Sequence, residues 1–416
     1  MTTINLPASK SIGARFLIAS YFAQTLPADP FFDDNDDLMV LQQALLEIYS
    51  DEEPIDYGDS PIDVHASGTA LRFVTALCAS CKGADYVVTG TPRLCSRPMH
   101  PLINVLRKAG AKIECLGENE TGPYRVSGNH LKGGSFEIEG NISSQFISAL
   151  MLVAPTWEKG MKLNFTTPLV SKPYLEMTEK LMKAFDIKAS LKDDSVIVEH
   201  GEYKEPPGFR VEADWSSASF IYEAVALSGK KIMISDLIAP EISMQGDSVT
   251  DVIFKNLGVS SQFSSDGAVL DATRDIKEFF EYDFRHCPDL VLPVAVASLC
   301  KNVRFRFTGV ANLRLKESDR INSLAKESEK LGYILDCTDD CVEWSGKTCN
   351  FSTDPVIETY EDHRVAMAFA MAVFKTGEIR ISHPEVVEKS FAGFWQQLGK
   401  MGVNLSEENN IMTIRL

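Results

Sequence analysis

Residues 175–199 read LEMTEKLMKAFDIKASLKDDSVIVE. Leu175, Leu181, Met182 and Phe185 recur as the apolar stripe of an amphipathic helix does. After Asp186 come two short strand-like runs about a polar turn of Lys192, Asp193 and Asp194. The same order of helix, turn, strand, turn and strand returns at 102–117 (LINVLRKAGAKIECLG), 249–272 (VTDVIFKNLGVSSQFSSDGAVLDA), 321–346 (INSLAKESEKLGYILDCTDDCVEWSG) and 391–416 (FAGFWQQLGKMGVNLSEENNIMTIRL). A looser copy starts at 38–49 with LMVLQQALLEIY. Successive helices start about 70 residues apart, so six such units consume the chain.

One helix with two strands cannot bury its own apolar faces, so units of this size must pack on one another in an α/β domain. Three units per domain is the simplest grouping, and the polar, proline-rich stretch at 204–207 falls where a break between two similar lobes is expected. A single large mixed domain is the alternative. Two lobes predict a cleft, a favoured place for a small-molecule site.

Composition supports a folded, soluble chain. Of 416 residues, 44% are hydrophobic and 24% charged, which fits two or three globular domains and rules out a disordered chain. Lysine and arginine number 41 against 58 acidic residues, for a net charge of −17 that would repel nucleic acid or an anionic membrane. The longest nearly apolar run, 290–300, is too short for the roughly 20 residues of a membrane span, and MTTINLPASK lacks a signal-peptide layout. The nine cysteines read as reduced thiols. Cys78 and Cys81 form a CxxC without a second ligand pair, so they are expected on one helix face as core thiols. His363 is likewise expected in the core. Ser345-Gly346-Lys347-Thr348 imitates the end of a phosphate-binding loop, but Cys341 stands where its first glycine belongs.

The repeats leave short segments unexplained, and these concentrate small polar and basic residues: PASKS at 7–11 with Arg15, ASGTALR at 66–72, SRP at 96–98, SSQ at 143–145, SKPY at 171–174, 214–219, KESDR at 316–320, DHR at 362–364, and Lys389-Ser390. Several precede apolar runs, which places them at helix N-termini. Free amides and the helix dipole suit anions there. Ordinary N-capping explains the serines but not the recurring guanidinium and ammonium groups, which match phosphates and carboxylates. Lys10, Arg15, Arg72, Arg97, Lys316, Arg320, Arg364 and Lys389 exceed the need of one phosphate, so the ligands should carry several negative charges. Asp289, beside a buried-looking run, and Glu317, among cations, are the candidates for proton transfer. The plainer readings are a helix cap for Asp289 and an ion pair with Lys316 or Arg320 for Glu317.

Taken in order, LPASKSIGAR, SGTALRF, TPRLCSRPM, NISSQFISAL, SKPYLEMT, ADWSSASF, QGDS, PDLVLPVA, NLRLKESDR, EDHRVAMAFA and EKSF cover essentially the whole chain. This series resembles the 5-enolpyruvylshikimate-3-phosphate synthase family, the 3-phosphoshikimate 1-carboxyvinyltransferases of the shikimate pathway, which leads to chorismate and the aromatic amino acids. The resemblance implies the enolpyruvyl transferase fold, an inside-out α/β barrel of two lobes with three repeats each. Residues 1–9 and 213–416 would form the lobe on the phosphoenolpyruvate-carboxylate and catalytic side. Residues 10–212 would form the shikimate 3-phosphate side, with the site in the cleft and the lobes closing over it.

The same resemblance distributes the site residues. Ser11 and Arg15 would hold the shikimate carboxylate, and Ser143, Ser144, Ser171 and Lys316 its phosphate. Asp289 and Asn312 would contact ring hydroxyls, and Gln145 would lie between the substrates. Arg97, Lys389 and the backbone near Gly68 would bind the phosphate of phosphoenolpyruvate, Arg320 and Arg364 its carboxylate, and Lys10 both ligands. Asp289, Glu317 and Lys10 would move protons, with Asp289 as base toward the hydroxyl. No metal or organic cofactor is called for, and a cytoplasmic monomer is expected, without nucleic-acid or membrane partner.

Two departures stand out: Ala66 where many members carry Asn, and FFDDNDDLMVL, with Asp36 and Asp37, as a loose copy of the family's serine-aspartate-aspartate segment. Two alternatives compete. One is the related transferase acting on UDP-N-acetylglucosamine, disfavoured by Lys10-Ser11 and by Cys95 lying only two residues before Arg97. The other is a non-catalytic phosphosugar-binding relative.

Overall fold

The computed structural model describes residues 1–29, 32, 35–49, 61–352 and 355–416. Each helix–strand–strand repeat read from the sequence is the second half of a larger unit. In one, the strand Gly134–Ile138 crosses through the helix Ser144–Val153 to a parallel partner, Met161–Phe165. The helix Lys172–Ala184 then leads into the hairpin Ala189–Leu191 and Ser195–Val198, and Ser195–Val198 pairs antiparallel with Met161–Phe165. Among the described residues, five four-stranded sheets share this order.

The chain divides into two compact units, Lys10–Val211 and the discontinuous Met1–Ser9 with Glu212–Leu416. The second contains three such sheets. Its N-terminal strand Thr2–Ile4 lies parallel to Ile232–Ser235, and Ser9 N donates to Glu212 O at 2.7 Å, which ties the first residues to the far half of the sequence. The unit Lys10–Val211 has two four-stranded sheets among its described residues. The looser sixth repeat contributes the helix Asp36–Tyr49, and residues 50–60, where its next part falls, lie outside the described residues.

The first halves of the repeats were not visible as periodic patterns because their helices are buried all round and have no polar face. All of Val291–Cys300 and all of His363–Met371 are buried, as is most of Trp215–Ser228, and these three helices pack on one another. In the unit Lys10–Val211 the corresponding trio is Lys10–Phe22, Gly68–Ser80 and Ser144–Val153, again in mutual contact. Amphipathic helices such as His100–Ala109 and Lys172–Ala184 bury one face and show the other to solvent.

All nine cysteines are thiols, and burial pushes Cys81 up to about 11 and Cys78 well above its ordinary value. Thiols so reluctant to ionise are poor metal ligands. Lys347 of the Ser345–Thr348 stretch binds Asp336 at 2.7 Å, an ion pair bridging the segment to a neighbouring strand. Among the described residues no helix is long and apolar enough to cross a membrane.

One core residue breaks the apolar pattern. Glu223, on the buried helix Trp215–Ser228, is 0% exposed, and neither carboxyl oxygen has a hydrogen-bond partner among the described residues. Burial raises its proton affinity well above the ordinary glutamate value of 4.5, so folding takes up a proton there. The contribution of Glu223 to stability then falls as pH rises above that value. Glu223→Met, which keeps the volume and removes the polar group, should stabilise the protein by about 1–3 kcal/mol at pH 5 and by more at pH 8. Urea denaturation at the two pH values measures both differences, and equal midpoints would refute the assignment.

Candidate active site

The buried helix trios decide where the functional side chains fall. In the unit Lys10–Val211, Lys10 and Ser11 open the helix Lys10–Phe22, Gly68 opens Gly68–Ser80, and Ser144 and Gln145 open Ser144–Val153. Gln145 Nε2 donates to Thr69 Oγ1 at 2.9 Å, which brings two of these N-termini together. Ser67 caps its helix by accepting from Ala70 N. Ser143 and Ser171 stand at cap positions too, yet neither side chain makes a capping bond, and Ser171 is held at φ 54° in the left-handed region. Capping therefore does not account for these two hydroxyls.

The cations near these helix starts differ in their partners. Lys10 Nζ meets Asp37 Oδ2 at 3.1 Å, so the loosely matching acidic segment supplies a real partner. Arg97, half-buried, has no carboxylate within ion-pair distance among the described residues. Arg72 donates from Nη1 to Gly68 O and lies 5.1 Å over the Phe146 ring. A Cβ on Gly68 would stand 2.7 Å from Arg72 Nη1 and 3.1 Å from Arg97 Nη1, so glycine lets two guanidinium groups approach one helix start.

Arg15 is buried and multiply bonded. It is 3% exposed, and it donates to Thr178 Oγ1 at 2.7 Å, Ser11 O at 2.7 Å, Ser148 Oγ at 2.9 Å and Tyr174 O at 3.2 Å. These oxygens are neutral, and burial lowers the guanidinium to about 10. Arg15 thus ties together the helices carrying Ser11, Ser148 and Tyr174 and adds an uncompensated positive charge beneath them.

The unit of Glu212–Leu416 gathers its residues around one carboxylate. Asp289 precedes the buried helix Val291–Cys300, but it does not cap that helix. Its Oδ1 takes Arg320 Nη1 at 2.9 Å, with Lys316 Nζ at 3.8 Å, and its Oδ2 takes Arg364 Nη2 at 3.0 Å. Arg320, 2% exposed, also binds Glu317 Oε2 at 2.8 Å and Asp362 Oδ2 at 2.8 Å. Asp362, fully buried, accepts from Ser318 Oγ at 3.0 Å and from Arg364 N at 3.0 Å, so it also caps the helix His363–Met371. Glu317 is the ion pair of the plainer reading, with Arg320 as its partner.

Burial by itself would raise the proton affinity of Asp289, but Arg364, Lys316 and Arg320 outweigh it and hold the carboxyl well below the usual range. Arg320 is correspondingly held in its charged form, since Asp362, Glu317 and Asp289 overcome the effect of its burial. Asn312 sits in the turn Ala311–Leu315, and its Oδ1 is buried without a hydrogen-bond partner among the described residues. Lys389, half-buried on the turn Glu388–Phe391, has no carboxylate within ion-pair distance among the described residues.

Sequence reasoning singled out DHR at 362–364 and QGDS but gave no role to Asp362, which holds Arg320, or to Asp247. An acidic residue directly before a buried helix was the available signal for Asp362.

The sequence profile of the EPSP synthase family (3-phosphoshikimate 1-carboxyvinyltransferase) matches residues 1–398. A Bacteroides fragilis protein named 3-phosphoshikimate 1-carboxyvinyltransferase is 40% identical over 411 residues, covering 98% of this chain and 97% of its own. One of that name from Vibrio cholerae is 30% identical over 417 residues, covering 96% of each. A solved EPSP synthase structure from Acinetobacter baumannii superposes with a TM-score of 0.74 at 24% identity, covering 99% of this chain and 96% of that one.

The charge network makes a stability prediction. Asp362→Asn keeps the shape but leaves buried Arg320 short of a charge, and it should cost about 3–5 kcal/mol. Asp193→Asn removes only the solvent-exposed partner of Lys172 and should cost about 0–1 kcal/mol. Urea denaturation of both variants checks the contrast, and equal losses would contradict it.

Proposed function

We propose the roles of these residues from one premise: the chain belongs to the EPSP synthase family. It catalyses transfer of the enolpyruvyl group of phosphoenolpyruvate to the 5-hydroxyl of shikimate 3-phosphate, with release of phosphate, in the shikimate pathway. The observation that carries the assignment of roles is the Asp289–Arg320–Arg364 cluster at the start of buried helices.

The two substrates bring two phosphates and two carboxylates. Ser143, Ser144, Ser171 and Lys316 take the phosphate of shikimate 3-phosphate, and Ser11 and Arg15 its carboxylate. Arg15 supports that end as a buried charge with little of its fork unengaged. Asn312 Oδ1, buried and without an internal partner, suits a ring hydroxyl. Arg97, Lys389 and the backbone at Gly68 hold the phosphate of phosphoenolpyruvate, Arg320 and Arg364 its carboxylate, and Gln145 and Lys10 serve both ligands.

The reaction adds and then eliminates. The 5-oxygen bonds to C2 as its proton passes to Asp289 and C3 gains a proton. The C2–O bond to phosphate then breaks as C3 gives its proton back. Asp289 is ionised, as a base must be, but the three cations make it a weak one. A substrate carboxylate on Arg320 and Arg364 adds negative charge beside Asp289 and so raises its basicity when the hydroxyl must be deprotonated. Glu317 and Lys10 handle the proton at C3. The cationic groups stabilise the departing phosphate.

A cytoplasmic monomer remains part of the proposal. Nine free thiols support a reducing compartment, and light scattering tests the oligomeric state.

Phosphate release on mixing phosphoenolpyruvate with shikimate 3-phosphate tests the reading, and release with UDP-N-acetylglucosamine instead would overturn it. Lys316→Ala should raise the Kd for shikimate 3-phosphate roughly 10- to 100-fold by calorimetry. Asp289→Ala should lower kcat by about 10²- to 10⁴-fold with little change in that Kd.

A further inference from the structure

Asp247 has no role in the assignment above, yet it has the environment of a proton-handling group. It lies in the turn Gly246–Val249 and is 4% exposed. Oδ2 accepts from Ser216 Oγ at 2.5 Å, while Oδ1 is buried without a hydrogen-bond partner among the described residues. Ser216 belongs to the first turn of the helix Trp215–Ser228, which Asp214 caps by accepting from Ser217 N at 2.7 Å. Since Ser216 donates into Oδ2, a proton on this carboxyl belongs on Oδ1.

The charges facing Asp247 come from several elements. Asp289 and Arg364 act on it from the cluster already described, and Asp214 from the start of the helix. Tyr282 and Cys287 are near enough for Asp247 to raise their proton affinities, and both are neutral. Asp251, on the helix that follows, is taken by Lys255 at 2.8 Å. Burial and then the charge of Asp289 push Asp247 up to about 7, Ser216 and Arg364 pull it back, and Asp214 adds to the rise. One buried neighbourhood thus contains a carboxyl held ionised and another poised to bind a proton. Such divergence separates the acid and base roles of paired carboxyl groups.

We propose that Asp247 is the proton store of this site, receiving through Asp289 the proton that the substrate hydroxyl loses. The proposal rests on the reaction assigned under Proposed function. When the bond from the 5-oxygen to C2 forms, the O–H bond breaks and its proton goes to the Asp289 carboxylate. Asp289 is the weaker base, so the proton moves on to ionised Asp247 and Asp289 returns to its carboxylate form. When the C2–O bond breaks, the departing phosphate needs one proton to leave as hydrogen phosphate. The store supplies it back through Asp289, and the proton balance closes within one turnover. The proton that C3 gains and loses is a separate one.

Two readouts test this. In the substrate-free protein, infrared spectra should show, besides the band of buried Glu223, a carboxylic-acid C=O band that titrates near neutral pH, is missing from Asp247→Asn and is kept in Glu223→Met. Ser216→Ala removes a bond to the ionised form, so it should shift that titration alkaline by about one pH unit. In the phosphate-release assay, Asp247→Asn should lower kcat roughly 10- to 100-fold and flatten the acid limb of the kcat profile. Ser216→Ala should move that limb the same way as the band. The phosphates of the free substrates titrate at about 6 and are the same for variant and parent, so the difference between the two proteins is what counts.

Carboxylic-acid bands that Asp247→Asn leaves unchanged from the parent, or an active parent whose Asp247→Asn variant keeps its kcat and pH profile, overturn the role of Asp247 alone. Should Asp247→Asn not fold, a Ser216→Ala profile and band that stay in place are enough to reject it. A parent that releases no phosphate overturns the reaction assignment, and with it the source of the stored proton.

Discussion

A helix buried on every side must still satisfy the amides of its first turn, which have no partner within the helix. Each unit has a trio of such helices in mutual contact. The residues that answer the constraint are those at their starts: Ser67, Asp214 and Asp362 as caps, and Ser143 at a cap position without a capping bond. The first-turn amides and the helix dipoles give these starts positive character. Lysine and arginine beside them then find uses that capping alone would not require. The architecture of the core and the preference for anionic substrates have this one origin.

The two units meet the constraint with different charge balances. Around Asp289, the cations Lys316, Arg320 and Arg364 are matched by the carboxylates Asp289, Glu317 and Asp362. Such a network is close to neutral, and its arginines are held in position by several bonds each. Of Lys10, Arg15 and Arg97 in the unit Lys10–Val211, the two arginines lack a carboxylate partner among the described residues, and Lys10 has Asp37. That set is cationic and draws anions. The protein's net charge of −17 therefore coexists with locally positive helix starts. Within that network Arg364, Lys316 and Arg320 outweigh the burial of Asp289 and hold its proton affinity low.

Much of this was legible in the residues. The hairpin halves of five repeats were readable because an amphipathic helix and paired short strands each leave a periodic trace, as in 175–199. The crossover halves were not. Val291–Cys300 and His363–Met371 are buried throughout, and strands such as Ile62–Asp63 and Val356–Ile357 are too short to show alternation. Serines and cations at helix starts were visible as an excess that capping could not explain. Arg15 was named for the site, but its burial among neutral oxygens was not apparent. Asp247 looked like any turn aspartate.

The sequence by itself determined the repeat, the basic segments, the family and hence the reaction, because residue type and spacing along the chain survive without coordinates. Only the tertiary structure decided which carboxylate holds which cation and which carboxyl binds a proton near neutrality. Arg320 meets Asp362 across 42 positions, Arg364 meets Asp289 across 75, and Ser216 meets Asp247 across 31. Proton affinity depends on burial and on neighbouring charge, and both arise only when those distant residues are folded together.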